Sequence, residues 1–280
     1  MRSSISVAIP VHNGLPFLQA ALQSVFNQTL LPDEIIVVEN KSTDGTFEYL
    51  RDLSHPLVRI VVQDELVSAP ENWSRAAQET RGDFVKLLCA DDIIQPQALE
   101  LQSRKILDHQ NVVLVAGRRT IIDERDNVII QSRGLAGLRG VRSREEIMKV
   151  AAVSGTNIVG EVGGILFDGD ALRDCLPWPK DYGYVTDLVQ YERVLRNGNA
   201  YFMGDTVARF RTSPQSWSST IQNRQTDDFN RLIDEWVTEG LALSRFERTR
   251  SRLASRANQL SRQALYASMP IFQRVRSLTN

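Results

Sequence analysis

The alternation of short apolar runs with stretches of helical periodicity is the feature that most restricts how this chain can fold. Ile5 to Val11, Glu34 to Val38, Val58 to Val62, Phe84 to Cys89 and Val112 to Ala116 read as strands. Between them, the clearest helical stretch puts Phe17, Leu18, Ala21, Leu22 and Val25 on one side. Strands that alternate with helices predict a parallel sheet covered on both faces and joined by right-handed crossovers. Thr120 to Gln131, with Asp126-Asn127 at its turn, predicts a hairpin added to that sheet. Gly134, Gly137 and Gly140 follow with G-x-x-G-x-x-G spacing, which is not a dinucleotide fingerprint and reads as a flexible loop. A helix from Ser143, a strand from Val162 to Phe167, a helix from about Val185 to Leu195 and two short strands near Tyr201 and Val207 come next. From Thr226 onward the pattern is helical.

With 280 residues and 42% apolar content, the chain fits one large domain or a domain and a half with a packed core. Lys and Arg total 33 against 34 Asp and Glu, a balance that points away from nucleic acid as a partner. The charge is unevenly placed, however. Leu241 onward holds eight Arg and one Glu, leaving a net −8 on the residues before it. Cys89 and Cys175 form neither a disulfide framework nor a zinc spacing, so a reduced, cytoplasmic setting is expected. No apolar run approaches the ~18 residues of a membrane span, and neither a signal peptide nor a transmembrane helix is expected.

Chemistry enters at Cys89-Ala90-Asp91-Asp92, where two adjacent carboxylates follow the apolar run Phe84-Val85-Lys86-Leu87-Leu88. Open α/β sheets bind ligands at the carboxyl ends of their strands. A hard cation such as Mn²⁺ or Mg²⁺ takes one or two carboxylates and completes its shell with water and phosphate oxygens, so an acidic pair there suits a metal diphosphate. The alternative is a solvated acidic turn that caps the helix starting near Pro96.

The order of motifs is more specific than any one of them. Ser6-Val7-Ala8-Ile9-Pro10-Val11-His12-Asn13-Gly14, then Gln28-Thr29, then Ile35 to Thr46 with Glu39-Asn40-Lys41-Ser42-Thr43-Asp44-Gly45, resemble the opening of family 2 glycosyltransferases. Asn72, Gly82-Asp83-Phe84-Val85, Ala90-Asp91-Asp92 and Pro96 continue the likeness up to that family's metal-binding x-D-D. The resemblance implies a GT-A type α/β fold, Rossmann-like, with a mostly parallel sheet, flanking helices and a C-terminal helical extension. It also implies a nucleotide-diphospho-sugar donor and inversion at the anomeric carbon. By matching position, Asp92 would ligate Mn²⁺ or Mg²⁺, and Asp91 would lie against the ribose or the metal's water shell. Pro10 and His12 would line the base pocket, and Asn13 and Asn72 fall in donor-site motifs. Ser42 to Gly45 reads as a helix cap with a turn glycine.

Three stretches depart from the family pattern. Glu39-Asn40 stands where relatives carry Asp-Asp, one acid of which accepts the N3 proton of uracil. Asn40 can still accept through its carbonyl oxygen, which makes UDP or dTDP the expected nucleotide. Val162 replaces a Pro in the stretch Asn157 to Phe167, which resembles a segment entering the donor–acceptor cleft. Ser213 replaces a His in a stretch through Arg209, Arg211 and Ser216-Trp217-Ser218 that closes over the diphosphate, leaving Arg211 as phosphate partner or as half of a structural ion pair.

Tyr184 to Leu195 resembles the family's D-x-x-x-x-x-R-L helix, whose leading acid is the catalytic base; here that acid is Asp187. A charge favoured by the helix dipole is the competing explanation. The expected division is residues 1–222 as the glycosyltransferase domain, with 1–117 binding the nucleotide-sugar and 118–222 the acceptor, followed by 223–280 as the helical extension. In that extension Leu253, Ala257, Leu260 and Ala264 share a face beside Arg248, Arg252 and Arg256, a pattern suited to anionic lipid near a lipid-linked acceptor or to packing on the domain. The expected activity is sugar transfer to a hydroxyl of a saccharide or glycoconjugate acceptor in surface polysaccharide assembly. A nucleotidyltransferase and a catalytically silent sugar-nucleotide binding protein are the rival readings.

Overall fold

The computed structural model describes residues 3–213 and 222–277. Four parallel strands, β1 (Ile5–Val11), β2 (Glu34–Glu39), β3 (Val58–Val62) and β4 (Phe84–Leu87), alternate with α1 (Leu15–Phe26), α2 (Thr46–Asp52) and α3 (Ala69–Gln78). The remaining strands are β5 (Ile93–Ile94), β6 (Val112–Ile122), β7 (Val128–Arg133), β8 (Gly140–Arg142), β9 (Ile165–Asp168) and β10 (Asn199–Arg211). The main path of the sheet runs β3-β2-β1-β4-β9-β6-β10-β5, with β7 paired to β6 and β8 to β10. β6 and β10 run parallel to each other, whereas β9 lies antiparallel to both β4 and β6. The sheet is therefore mostly parallel, as the βαβ pattern predicts.

Side chains alternate across this sheet with the period of two that strand geometry imposes. Val7, Ile9, Ile35 and Val37 face Leu18, Leu22 and Val25 of α1 and Leu99 of α4 (Ala98–Asp108). Ala8, Ile36, Val38 and Val85 face the other layer, built from α3, α5 (Arg144–Ser154), α7 (Thr186–Val194) and α8 (Gln225–Thr238); α6 (Gly169–Arg173) follows β9. All seven residues of β1 are buried, consistent with a strand covered on both faces.

Two expectations are revised. The short strands near Tyr201 and Val207 are one long strand, β10, whose pairing with β6 shifts register between Phe202 and Thr206. The exposed pair Gly204-Asp205 lies in that irregularity and breaks the alternation, so the sequence reads as two pieces. The segment expected as a strand from Val162 begins as a 3-10 turn, Val162–Gly164, and becomes strand at Ile165. Asp126 lies in the turn between β6 and β7, where the hairpin was expected.

The last helix, α9 (Arg245–Ser277), is seated by a close approach to α5. α5 starts in a capping box, in which Ser143 Oγ accepts from the Glu146 N–H at 3.3 Å and Glu146 Oε2 accepts from the Ser143 N–H at 2.9 Å. It ends at Gly155, left-handed at φ +66°, where a Cβ would lie 2.3 Å from the backbone nitrogen of Ser255. Buried Ser251 and Ser255 of α9 keep this contact thin, and Asn258 Nδ2 donates to the carbonyls of Ser154 and Gly155 at 2.9 and 3.2 Å. Among the described residues, no helix is long and apolar enough to cross a membrane.

Gly155→Ala should cost about 2–3 kcal/mol of stability, combining left-handed strain with overpacking. Gly137→Ala, at φ +83° with open space around it, should cost about 1 kcal/mol for strain alone. Urea unfolding of both variants measures the difference, and equal losses would mean that the α5–α9 approach is not tight.

Candidate active site

After β4 the chain turns sharply, with the Asp92 N–H donating to the Cys89 carbonyl at 3.0 Å, and delivers Asp91 and Asp92 to the end of the parallel strands. The short β5 that follows pairs with β10 and so brings Arg211 against the turn. The Arg211 N–H donates to Asp92 Oδ1 at 2.9 Å, and its guanidinium donates from Nε to the Asp91 carbonyl and from Nη1 to the Asp123 carbonyl, both at 2.9 Å. Nη2 pairs with Asp126 at 2.7 Å, and the cation lies 4.5 Å over the Phe17 ring of α1. Arg211 was expected to meet a diphosphate or to form half of a structural ion pair. Each of its guanidinium nitrogens holds a protein oxygen, including the Asp126 carboxylate, which makes it a brace for the acidic turn.

Asp91 and Asp92 open into a cavity of about 430 Å³ whose walls also include Cys89, Asp187, Glu161 and Trp73. Burial raises the Asp91 carboxyl pKa, and burial together with the Asp91 charge raises that of Asp92 far above the usual carboxylate range. Two such acids side by side are a poor resting arrangement unless a cation shares them. Ligand atoms of Cys89, Asp91 and Asp92 lie within 4.8 Å of one another. Gly163, where a Cβ would come within 3.2 Å of Asp92 Oδ2, keeps that oxygen uncrowded. The two carboxylates fit a hard divalent ion. The Cys89 thiol, pushed up by burial and by the surrounding acids, is a soft donor and suits such an ion less well.

Asp187 sits in the first turn of α7, and its Oδ1 is buried with no hydrogen-bond partner. Burial raises its carboxyl pKa to about 7, Glu161 adds to the rise, and the Trp178 indole opposes it. Glu161 itself is ion-paired with Arg119, whose Nη2 is 3.1 Å from Glu161 Oε1. Arg119 occupies space that a side chain at Gly134 or Gly160 would need, and both glycines have positive φ. Beneath the turn, Lys86 of β4 is fully buried and donates to Gln102 Oε1 at 2.8 Å; burial brings its ammonium pKa down to about 7, with Asp92 opposing.

Of the residues singled out from sequence, Asp91, Asp92, Asp187 and Arg211 meet in this cavity, while Pro10, His12, Asn13, Glu39, Asn40 and Asn72 cluster at the adjoining ends of β1 and β2. Several of the latter have other partners. Asn40, expected to read a pyrimidine, donates from Nδ2 to the Val67 carbonyl and accepts at Oδ1 from the Val67 N–H, both at 2.9 Å. Glu39 accepts from the N–H groups of Lys41 and Ser42 at 3.1 and 2.5 Å, closing the loop. Asn72 donates weakly to the carbonyls of Val11 and Val38 at 3.5 and 3.4 Å. Asn13, at φ +51°, accepts from the Thr43 N–H at 2.8 Å. Pro10 is buried in β1 opposite Val38. His12 is exposed, its Nδ1 2.8 Å from the Asn40 carbonyl. Gly45, expected as a turn glycine, is the left-handed N-cap of α2 at φ +95°, and Asp44 before it accepts from the Thr46 N–H at 3.0 Å. Ser216, Trp217 and Ser218 lie outside the described residues. Sequence patterning did not single out Trp73, Arg133 or Arg262 as cavity residues, since each comes from a different element.

A mostly parallel α/β sheet with an acidic turn at the end of its fourth strand defines the GT-A class of glycosyltransferases, and solved structures of that class superpose on it. Staphylococcus aureus TarS 1-349 in complex with UDP-GlcNAc matches with a TM-score of 0.67 and 15% identity, over 90% of this chain and 70% of that one. Mannosyltransferase PcManGT from Pyrobaculum calidifontis in complex with GDP-Man and Mn²⁺ matches with a TM-score of 0.63 and 18% identity, over all of this chain and 80% of that one. The family model described as Glycosyl transferase family 2 matches residues 6–165, and the chain belongs to that family. An uncharacterised protein of Mycobacterium tuberculosis is 27% identical over 85% of this chain and 77% of its own length. The chondroitin synthase of Escherichia coli is 27% identical over 45% of this chain, and the match spans 18% of that much longer relative.

Arg211→Lys should lower stability by roughly 1–3 kcal/mol, because one ammonium cannot replace the three-pronged fork and leaves a buried carbonyl unpaired. Thermal unfolding checks this, and a wild-type melting temperature would show that the brace contributes nothing.

Proposed function

We propose that this glycosyltransferase moves a sugar from a UDP- or dTDP-sugar to an acceptor hydroxyl with inversion, in polysaccharide or glycoconjugate assembly. The observation that carries this reading is Asp187: a buried carboxylate whose Oδ1 has no hydrogen-bond partner and whose pKa is raised to about 7, in the same cavity as Asp91 and Asp92. A general base works best when its pKa lies near the working pH. Asp187 takes the proton of the acceptor hydroxyl as that oxygen attacks the anomeric carbon from the face opposite the diphosphate. Asp92, steadied by the Arg211 N–H, and Asp91 would hold a divalent ion, Mn²⁺ or Mg²⁺. When bound, that ion supplies positive charge for the departing diphosphate. His12 is placed against the base, and Asn40, Glu39, Asn13 and Asn72 keep the loops of the base site in position. The UDP-GlcNAc and Mn²⁺ complexes of the structural neighbours and the polysaccharide-synthesising relative support this assignment.

With a donor panel and Mn²⁺, the wild-type protein should release nucleoside diphosphate, and release should fall as pH drops below about 7, where Asp187 becomes protonated and cannot accept the acceptor's proton. Asp187→Asn should retain donor binding and lose roughly 10²-fold or more in turnover, whereas Asp92→Ala should lose metal-dependent donor binding. Pyrophosphate release from a nucleoside triphosphate, or near-normal transfer by Asp187→Asn, would overturn the proposal.

The same reading places the protein at the cytoplasmic face of a membrane, near a lipid-linked acceptor. Phe246, Leu253 and Leu260, seven residues apart on α9, are 76%, 63% and 66% exposed and are accompanied by Arg248, Arg252 and Arg256. Apolar side chains with a cationic rim suit anionic lipid. The protein should float with phosphatidylglycerol vesicles and not with phosphatidylcholine vesicles, and Leu253→Asp should weaken flotation. Flotation indifferent to lipid charge and to this substitution would remove the membrane assignment.

A further inference from the structure

The cavity that holds Asp187 also has a strongly cationic wall. Arg133 closes β7, and Arg262 reaches the cavity from α9, one turn beyond Asn258 and its anchoring bonds to Ser154 and Gly155. The Arg262 guanidinium lies 4.9 Å over the ring of Tyr184. Among the described residues, neither Arg133 nor Arg262 has an ion-pair or hydrogen-bond partner for its guanidinium. Glu161, the acid in that wall, is already paired with Arg119. Arg119, Arg133 and Arg262 thus gather beside Glu161, with Arg133 exposed at the cavity's rim and its basicity lowered by partial desolvation and by the charges of Arg119 and Arg262. Like charges gathered at the rim of a cavity favour the binding of an anion that joins them.

We propose that Arg133 and Arg262 form an acceptor subsite for an oxyanion, a phosphate or a carboxylate carried by the acceptor close to the hydroxyl that Asp187 deprotonates. This rests on reading the cavity as the transfer site, and it narrows the acceptor to an anionic glycan or polyol phosphate. Guanidinium suits either group, since its planar fork can meet two oxygens at once.

The full-length protein with Mn²⁺ is titrated with UDP, glycerol 1-phosphate, methyl β-D-glucuronide and the neutral methyl β-D-glucoside, and binding is followed by calorimetry or ligand-observed NMR. At least one anionic probe should bind roughly tenfold or more tightly than the glucoside, the scale of a charge-assisted contact. Preference for glycerol 1-phosphate identifies a phosphate acceptor, and preference for the glucuronide a carboxylate acceptor. The double variant Arg133→Gln/Arg262→Gln should bring the anionic probes down to the level of the glucoside with UDP affinity unchanged. Arg133→Lys/Arg262→Lys, which retains the charge, should keep part of the preference and controls for a folding defect. Glucoside binding equal to both anions, or an unchanged preference in the Gln variant, would overturn the subsite. Weakened UDP binding in the Gln variant would also overturn it, by assigning the pair to the donor diphosphate. UDP binding by the wild-type protein is read separately, so its absence would instead count against glycosyl transfer.

Discussion

The Arg211 brace is the interaction on which the rest of this site depends. One residue at the end of β10 ties the acidic turn after β4, the β6–β7 turn and the ring of Phe17 to a common point. Its backbone N–H occupies one oxygen of Asp92, and its guanidinium brings a positive charge that partly opposes the rise in pKa that burial causes in both acids. Elements far apart in sequence therefore arrive at one place with fixed orientation. The position of Arg211 against the acidic turn follows from β10 pairing with β5 rather than from the turn itself.

Much of the β1 to β4 unit was legible in the sequence because its signals are local. β1 to β4 are short, apolar and buried on both faces, α1 has a clear face, and the Asp44-Gly45 turn lies beside the helix it starts. What escaped was set by tertiary pairing. β10 reads as two strands because its register slips at Gly204-Asp205, and the turn at Val162–Gly164 exists because the backbone passes close to Asp92 and to the Gly117 carbonyl. Asn40 matches a base-reading position by alignment, yet its amide is claimed by Val67, a residue from the loop before α3. Arg133 and Arg262 carried no motif. Their meaning depends on which carboxylates are absent around them, and sequence spacing does not report that.

Burial tunes two groups in opposite directions. It raises the carboxyl of Asp187 to about 7 and lowers the ammonium of Lys86 to about 7. Asp92 counteracts the effect on Lys86, which links the acidic turn to the hydrogen bond that Lys86 makes with Gln102. Gln102 in turn donates to the carbonyls of Val115 and Gly164, so the polar groups under the turn form a connected set inside an apolar sheet.

The seating of α9 against Gly155 has a consequence for how the protein is made. A nascent chain can complete the sheet, the acidic turn and Asp187 before α9 has been synthesised, because all of them precede it in sequence. Arg262 joins the cavity wall after that, when the helix comes to rest on α5. The cavity wall is thus completed in two stages, and whatever selectivity it owes to Arg262 is acquired only when α9 docks.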